Sequence, residues 1–529
     1  MNSNQLESGD LGENSSILSP ITLIRPPIVS SKASFSAPAT PPLGLAYLSA
    51  ALKKENFKVC PIDALGLDIE TYQEVDKDDV YLYRGLSIEK IIALIPEDSL
   101  MIGISCMFSQ EWLFVIELLE GVHLKYPDIP IVVGGEHVSA LYEEVLHTCS
   151  FIKACAIGEG EETLVDLAFY FLQGGKGSQL SGIAGTASLD STGSLVLGPK
   201  RKRIQDLDEM PLPDWDSMPI EVYLSSGYGH GTNQGRTMPL LGTRGCPYSC
   251  TFCSNKQMWT TRYVTRTPSK IVDEMEFYRD KYNVSHFDFY DLTAIVRKEW
   301  YVAFAEELIK RGMDISYSLP SGTRSEAIDE EVTALMHKTK CRYLVYAAET
   351  GSQRILKLIN KKVSLKSLVQ SMRSAKKNQM SIRCNLMLGF PDETRLDVMK
   401  TVLFQLRLAI LGVDDVPLYM FSPYPGSHIF NQLRESGDIS ELNKEYYEGL
   451  ICQMDLFKGN RIPTVVSKRE LIIWRIVGMT LFYSLSYLFF PKRIIRTYVN
   501  IFKVHKTTTV FEQRIVDLLR RRKANQHSQ

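Results

Sequence analysis

The sequence predicts an α/β protein made of two parallel-sheet modules and a helical C-terminal tail. The first module is a Rossmann-like doubly wound sheet, the second a partial (β/α)6 TIM-like barrel. Three observations predict this. Short β-rich apolar runs alternate with stretches whose apolar residues recur every three to four positions, which is the βαβ signature. The alternation occurs twice, from residue 20 to about 170 and from 238 to about 424. Between the two series, residues 185–237 mix charge, Pro and Gly and read as a linker.

In the first series the strands read ITLIRPP (21–27), FKVCPIDA (57–64), LMIGISCMF (100–108), IPIVVGGEH (129–137) and FIKACAIGEGE (151–161). Helices such as LGLAYLSAALKKE (43–55) fill the gaps and give one domain over residues 20–184. Residues 1–19, mostly polar and acidic, read as a disordered tail. Ligands of doubly wound sheets lie beyond the carboxyl ends of the strands, where glycine admits close backbone and helix N-termini present N–H groups. Here those ends carry Pro27, Ser105, Gly134, Gly135, His137, Gly158, Glu159 and Gly160. No G-x-G-x-x-G follows the first strand, which argues against a dinucleotide.

The second series opens with MPLLGTRG at 238 and continues with HFDFYD (286–291), ISYSLPSG (315–322), RYLVYAAET (342–350), SIRCNLMLGF (381–390) and DVPLYMFSPY (415–424). Helical stretches separate them at 268–282, 297–312, 326–339, 352–378 and 393–411. Six βα units make a partial barrel over 238–440, with its site at the C-terminal ends of the strands by analogy with the full eight-unit barrel. His230, among glycines of the linker, reads as a loop residue.

Composition restricts the function classes. With 44% apolar and 23% charged residues the chain is an ordinary soluble globular type, and its net charge of -1 gives no whole-chain attraction to nucleic acid. Residues 1–18 have neither the basic nor the apolar region of a secretory signal. The ten cysteines therefore read as reduced thiols of a cytoplasmic protein, with metal binding where they cluster.

They cluster once. TRGCPYSCTFCSN (243–255) sets Cys246, Cys250 and Cys253 in a C-x3-C-x2-C run directly after the first barrel strand. One loop with this spacing wraps a compact soft-metal centre, zinc or iron-sulfur. A structural zinc site needs a fourth Cys or His nearby, and the next downstream His is His286. A zinc knuckle is the bland alternative.

This run, with Phe252 before the last Cys, resembles the radical SAM superfamily. There three thiolates hold a [4Fe-4S] cluster and leave one iron to bind S-adenosylmethionine (SAM). FDFYDLT (287–293), YAAETGSQRILKLINK (346–361), LMLGFPDET (386–394) and FSPYPGS (421–427) are similar to the later strand ends of that family. By that resemblance Phe252, Asp291, Glu349, Arg383 and Gly389 would position SAM. The first domain, through RPP, PPLGLAYLSAAL (41–52), GGEHVSALYEEVL (134–146) and IGEGEETLVDL (157–167), resembles the subfamily with a cobalamin-binding domain. That subfamily includes class B methylases, hopanoid methylases and the anaerobic magnesium-protoporphyrin ester cyclase. The strand-end residues 27, 105, 134, 135, 137 and 158–160 would then face cobalamin, although the D-x-H-x-x-G motif of other cobalamin domains is missing from residues 1–180.

The resemblance implies an enzyme. An electron from an external donor such as flavodoxin or ferredoxin would cleave SAM to a 5'-deoxyadenosyl radical, and cobalamin would carry a methyl group to an unactivated carbon of a small-molecule or lipid-like substrate. Radical cyclisation, oxidation or rearrangement without methyl transfer is the alternative within the subfamily. A methylthiotransferase acting on tRNA would need three further clustered cysteines in the first domain. A non-enzymatic iron-sulfur electron carrier would leave the strand-end matches without a role.

Residues 441–529 form the last region. LIIWRIVGMTLFYSLSYLFF (471–490) is long enough to span a membrane, but Arg475 within it makes that costly. The expectations are a helix packed on the barrel or an interfacial helix, with residues 471–523 in peripheral contact with the inner membrane face through Lys492, Arg493 and Arg496.

Overall fold

The structure, a computed structural model, describes residues 19–527 except 35–38, 75–80, 176–177 and 505. Nearly all of the expected disordered tail therefore lies outside the described residues. The first module is a seven-stranded sheet of β1 (Ile21–Arg25), β2 (Val59–Asp63), β3 (Met101–Ser105), β4 (Ile131–Gly134), β5 (Ala154–Ala156), β6 (Thr186–Leu189) and β7 (Leu195–Leu197). Strands β2-β1-β3-β4-β5 are parallel neighbours in that order. The order reverses between β1 and β3, which makes their carboxyl ends the switch point where ligands bind. Four long helices surround the sheet, α1 (Leu43–Lys54), α2 (Trp112–Lys125), α3 (Glu136–Thr148) and α4 (Glu161–Leu172), and the short helix Ile88–Ala93 packs on α2. Strands with helices on both faces read as unbroken apolar runs, which is why the sequence shows them.

Two strands correct the expected linker. Residues 186–197 fold back as an antiparallel hairpin on β5. The Asp190–Gly193 segment that looked like linker is its turn, closed by the Thr192 and Ser194 N–H groups donating to Asp190 Oδ1 at 2.8 and 3.0 Å. A separate three-stranded sheet of Ile28–Ser31, Tyr72–Glu74 and Tyr81–Arg84 was also not expected.

The second module is a six-stranded sheet in sequence order: β8 (Thr237–Leu240), β9 (His286–Phe289), β10 (Ser316–Thr323), β11 (Cys341–Glu349), β12 (Ser381–Leu388) and β13 (Leu418–Met420). All its pairings are parallel. Its helices are α5 (Pro268–Tyr282), α6 (Lys298–Arg311), α7 (Glu330–Lys338), α8 (Leu365–Lys377) and α9 (Arg395–Leu411). The single helix expected at 352–378 is two, Gln353–Leu358 and α8, because Asn360 takes a left-handed backbone (φ 52) and Ser364 caps a new start.

The tail packs α10 (Lys468–Phe489) along α9 and the edge strand β13. Arg475, 2% exposed, points inward and donates to the carbonyls of Leu418, Leu456 and Cys452 at 3.0, 2.7 and 3.0 Å. The charge that argued against a membrane span is therefore used inside the protein. α11 (Lys492–Val499) and α12 (Val510–His527) follow. Two of the three cations expected to face a membrane turn inward instead: Arg493 and Arg496 both donate to Asp414, at 3.1 and 3.2 Å.

Candidate active site

The three-cysteine loop lies where the carboxyl ends of the two sheets meet. It leaves β8 through Thr243–Arg244, which pairs with Val264–Thr265 in a small ribbon. Gly245 must be glycine, since it has φ 87 and a Cβ there would lie 2.0 Å from the Arg262 carbonyl oxygen. Barrel residues hold the loop from one side. Thr251 N–H donates to the Ile359 carbonyl (3.0 Å), Asn360 Nδ2 to the Ser249 carbonyl (2.9 Å), and Ile429 N–H to the Thr251 carbonyl (3.0 Å).

The first module grips the loop from the other side, at both ends. Before the first cysteine, buried Arg244 bridges Glu159 (3.1 Å) and Glu161 (2.6 Å), and Arg203 bonds the second oxygen of Glu159 at 2.6 Å. After the last cysteine, Ser254 donates to Glu136 at the start of α3.

The donor set fits a cluster. Cys246 and Cys250 are half-buried, while Cys253 carries accessible surface although protein surrounds it, so it lines a recess. Burial pushes the Cys253 thiol up to about 12 and also raises that of Cys250, against the pull of Lys361 and Arg324. Thiols held neutral in this way ionise when a metal centre supplies the missing positive charge. Among the described residues no three donors close on a single-ion site. A four-iron cube asks for a wider spacing, because each thiolate binds its own iron.

Beside Cys250 stands a charged group that the sequence shows only in part. Glu349 ends β11 at a bulge in left-handed backbone (φ 66), which turns its carboxylate to Lys361 Nζ at 2.7 Å. Arg324, directly after β10, lies over the Tyr248 ring at 3.8 Å; its Nε and Nη2 are paired with Glu326 at 3.1 and 2.9 Å, and only its buried Nη1 has no partner among the described residues. Neither Lys361 nor Arg324 was expected from the sequence, although each directly follows a strand-end stretch or ends a matched one. Phe252 packs edge-on to Phe390 at 5.8 Å, below Lys361.

Three other expected SAM contacts are corrected. Asp291 is fully buried and accepts from Gly242 N–H (3.1 Å) and Thr243 Oγ1 (2.5 Å), so it braces the base of the cysteine loop. Burial raises its carboxyl to about 6. Arg383 lies near the start of β12, roughly 17 Å along the strand from its carboxyl end. Inside the barrel it bonds Asn385 at 2.8 Å and Tyr419. Gly389 is at the strand end as expected, but its N–H is donated to Glu393 at 2.5 Å, and Leu471 of α10 covers its α-carbon.

The switch point of the first sheet faces the same recess. Ser105 ends β3, and Met107 and Phe108 after it are exposed (Phe108 54%) although they are large and apolar. They provide apolar surface beyond β3, and Gly44 in the first turn of α1 has nothing within 4 Å of a built Cβ. These features fit a broad macrocycle between the modules. Pro27 is buried at the edge of this region, and Gly134 and Gly158 lie on it half-buried.

The remaining residues of that set have other work. A Cβ on Gly135 would meet the Cys106 carbonyl at 2.4 Å, so this glycine serves backbone packing. His137 is buried against Trp112, bonds Ser109 Oγ at 3.0 Å and is held neutral, its pKa lowered by burial to about 3. Glu159 is committed to Arg203 and Arg244, and Gly160 packs on Leu48. Arg25 at the end of β1 bonds Tyr223 (3.2 Å) and Asp63 (3.4 Å).

On the barrel side, His230 also carries accessible surface deep within protein. Its N–H donates to Asp288 at 3.1 Å and its ring meets Tyr290 at 5.5 Å. The linker loop thus enters the barrel from the amino-terminal side of its strands, where Gly231 lies against Pro320 and Tyr343. The Tyr290 hydroxyl has no partner among the described residues.

Comparison with known proteins agrees with this architecture. The family model for the Radical SAM superfamily matches residues 240–404, and that for the B12 binding domain matches residues 36–168. An uncharacterized methyltransferase of Pyrococcus horikoshii is 26% identical over 450 residues, 85% of this chain and 91% of that protein. The anaerobic magnesium-protoporphyrin IX monomethyl ester cyclase of Rubrivivax gelatinosus is 26% identical over 81% of this chain and 72% of its own length. Among solved structures, the radical SAM methyltransferase TsrM of Kitasatospora setae, with cobalamin and a [4Fe-4S] cluster bound, superimposes with a TM-score of 0.61 at 15% identity, covering 88% of this chain and 89% of that one. The chain belongs to the radical SAM superfamily, in the branch that carries a B12-binding domain ahead of the barrel. It is an enzyme whose cofactors are a [4Fe-4S] cluster, SAM and cobalamin.

Proposed function

We propose that this enzyme transfers a methyl group to an unactivated carbon of a hydrophobic small molecule. The observation that carries the reading is the seat of the cysteine loop, gripped by both modules where both sets of strand ends meet. When bound, the cluster supplies the electron that splits SAM, and cobalamin carries the methyl group. Cys246, Cys250 and Cys253 hold the cluster. Arg324 and Lys361 offer cations to the SAM carboxylate, and Glu349 accepts from its ammonium. Met107, Phe108, Ser105, Gly134 and Gly158 border the corrin. His230 and Tyr290 offer polar contacts to the substrate from the barrel side.

The methyltransferase names of the Pyrococcus and Kitasatospora relatives support methylation. The cyclase of Rubrivivax supports a second reading, radical ring closure without methyl transfer. We take the cobalamin domain as residues 20–197 and the electron donor as an external flavodoxin or ferredoxin. In this reading the enzyme works in the cytoplasm, attached peripherally to the inner face of the membrane, where a lipid-like substrate resides.

The test is anaerobic reconstitution of the full chain, followed by reduction in the presence of SAM. Methylation predicts both 5'-deoxyadenosine and S-adenosylhomocysteine, because a methyl group leaves one SAM molecule. 5'-Deoxyadenosine alone would favour ring closure. A cluster that ignores SAM would overturn both readings.

A further inference from the structure

Helix α10 is inverted relative to an ordinary surface helix. Its buried face holds Leu471, Arg475, Gly478, Phe482 and Ser486, while Ile473, Ile476, Val477, Leu481 and Leu488 (73% exposed) point outward. It has 22 residues, and an 18-residue stretch of it has a mean hydropathy of 1.5, so the composition of that stretch matches a nonpolar medium. Yet its inner face is fixed to the barrel through Arg475, which leaves only one side for that medium. α11 continues the outer surface with Ile494, Ile495 (68% exposed) and Tyr498, and Phe502 and Val504 follow. α9, packed beside α10, adds Leu396, Met399, Leu403 and Ile410 to the same outer wall. Apolar area of this extent is costly in water and marks a contact surface.

Charge identifies the partner. Between Glu470 and Glu512 the sequence contains no Asp or Glu. Exposed Lys492 and Lys503 flank the apolar side chains. On the far side of the α9 crest, between α8 and α9, a recess of about 610 Å³ is lined by Lys366, Arg373, Lys400 and Arg407 together with Leu365 and Leu403. None of these four cations forms an ion pair with a described carboxylate. Four cations over an apolar wall suit phosphate headgroups whose acyl chains lie against α9 and α10.

We propose that the α9–α10–α11 wall is a docking surface for an anionic phospholipid bilayer, with headgroups seated in the α8–α9 recess. The helices lie on the bilayer without crossing it. This rests on the peripheral attachment proposed above and specifies its surface and lipid chemistry. It is independent of the reaction, because vesicle binding and SAM cleavage are separate readouts.

The test is flotation of the full chain with vesicles of phosphatidylcholine alone or of equal parts phosphatidylcholine and phosphatidylglycerol. The wild type should float with the anionic vesicles and stay behind with the neutral ones, and added salt should weaken its binding. Leu488→Glu with Ile495→Glu, and separately Arg373→Glu with Arg407→Glu, should each lower the bound fraction by about tenfold or more. Unchanged cluster absorbance in each variant shows that the barrel has kept its fold. Failure of the wild type to float with anionic vesicles would overturn the proposal. So would equal binding to both vesicle types, or a dimer in solution that Leu488→Glu dissociates, which would mean that a second copy covers the wall.

Discussion

Glu349 shows how one residue is prepared for its task. A non-glycine residue in left-handed backbone costs energy, and here that geometry turns the carboxylate toward Lys361, beside Cys250. Glu349→Gln should leave iron content unchanged and raise the KM for SAM by roughly tenfold to a hundredfold, the worth of a charge-assisted hydrogen bond. Unaltered SAM kinetics would remove Glu349 from the site. Cys250→Ala should abolish 5'-deoxyadenosine formation and leave the first module folded, as judged by circular dichroism. Two further carboxyls set the response to pH. Burial holds Glu111 up at about 8 and Glu393 at about 7, against a usual 4.5. The folded state therefore binds their protons more tightly than the unfolded chain, and the stability they contribute is full below about 4.5 and lost as pH rises through 7 to 8. The melting temperature should fall across that window, and Glu111→Gln should flatten the fall.

Single residues also mark where sequence reading stops. Asp291 and Glu349 both stand at strand ends, and the family resemblance gave them the same role. A strand turns alternate side chains to opposite faces, and a bulge resets that alternation, so only the fold separates a loop brace from a site carboxylate. Arg383 was misplaced because the family resemblance alone put it at the site, whereas its position as the third residue of β12 sets it far from the carboxyl-end rim. Arg324 directly follows SLPSGT and was within reach, since the active end of a barrel strand includes the residue after it.

The clearest device among the elements is the grip on the cysteine loop. Buried Arg244 shares two carboxylates and stacks near Tyr47 and Trp259 at 5.0 and 5.6 Å, so the first cysteine follows a fixed anchor. Glu159→Gln weakens the pairing of two arginines at once and should cost about 3 kcal/mol in urea unfolding. It should also lower S-adenosylhomocysteine formation more than SAM cleavage, because the modules lose their mutual alignment. Arg475→Met leaves three carbonyls without a donor and should cost roughly 3 kcal/mol, read as a lower melting temperature. Most strands and helices were legible because buried parallel strands and amphipathic helices carry strong periodic signals. The β6–β7 hairpin was not, since its strands are three and four residues long and its polar turn resembles a linker. Nor could summed hydropathy show that α10 hides Arg475 and exposes its leucines.

At the scale of the molecule, the two sheets differ in topology but aim their carboxyl ends at one recess. The first offers apolar surface at its switch point, Met107 and Phe108. The second offers the thiols with Glu349, Lys361 and Arg324. The placement of a methyl carrier opposite a cluster that splits SAM is the central claim. Its most direct test is a single measurement: corrinoid retained by the anaerobically reconstituted full chain after gel filtration. Cobalamin seated opposite the cluster should give about one corrinoid per chain together with about four irons. A chain that folds and assembles its cluster yet elutes free of corrinoid would contradict it.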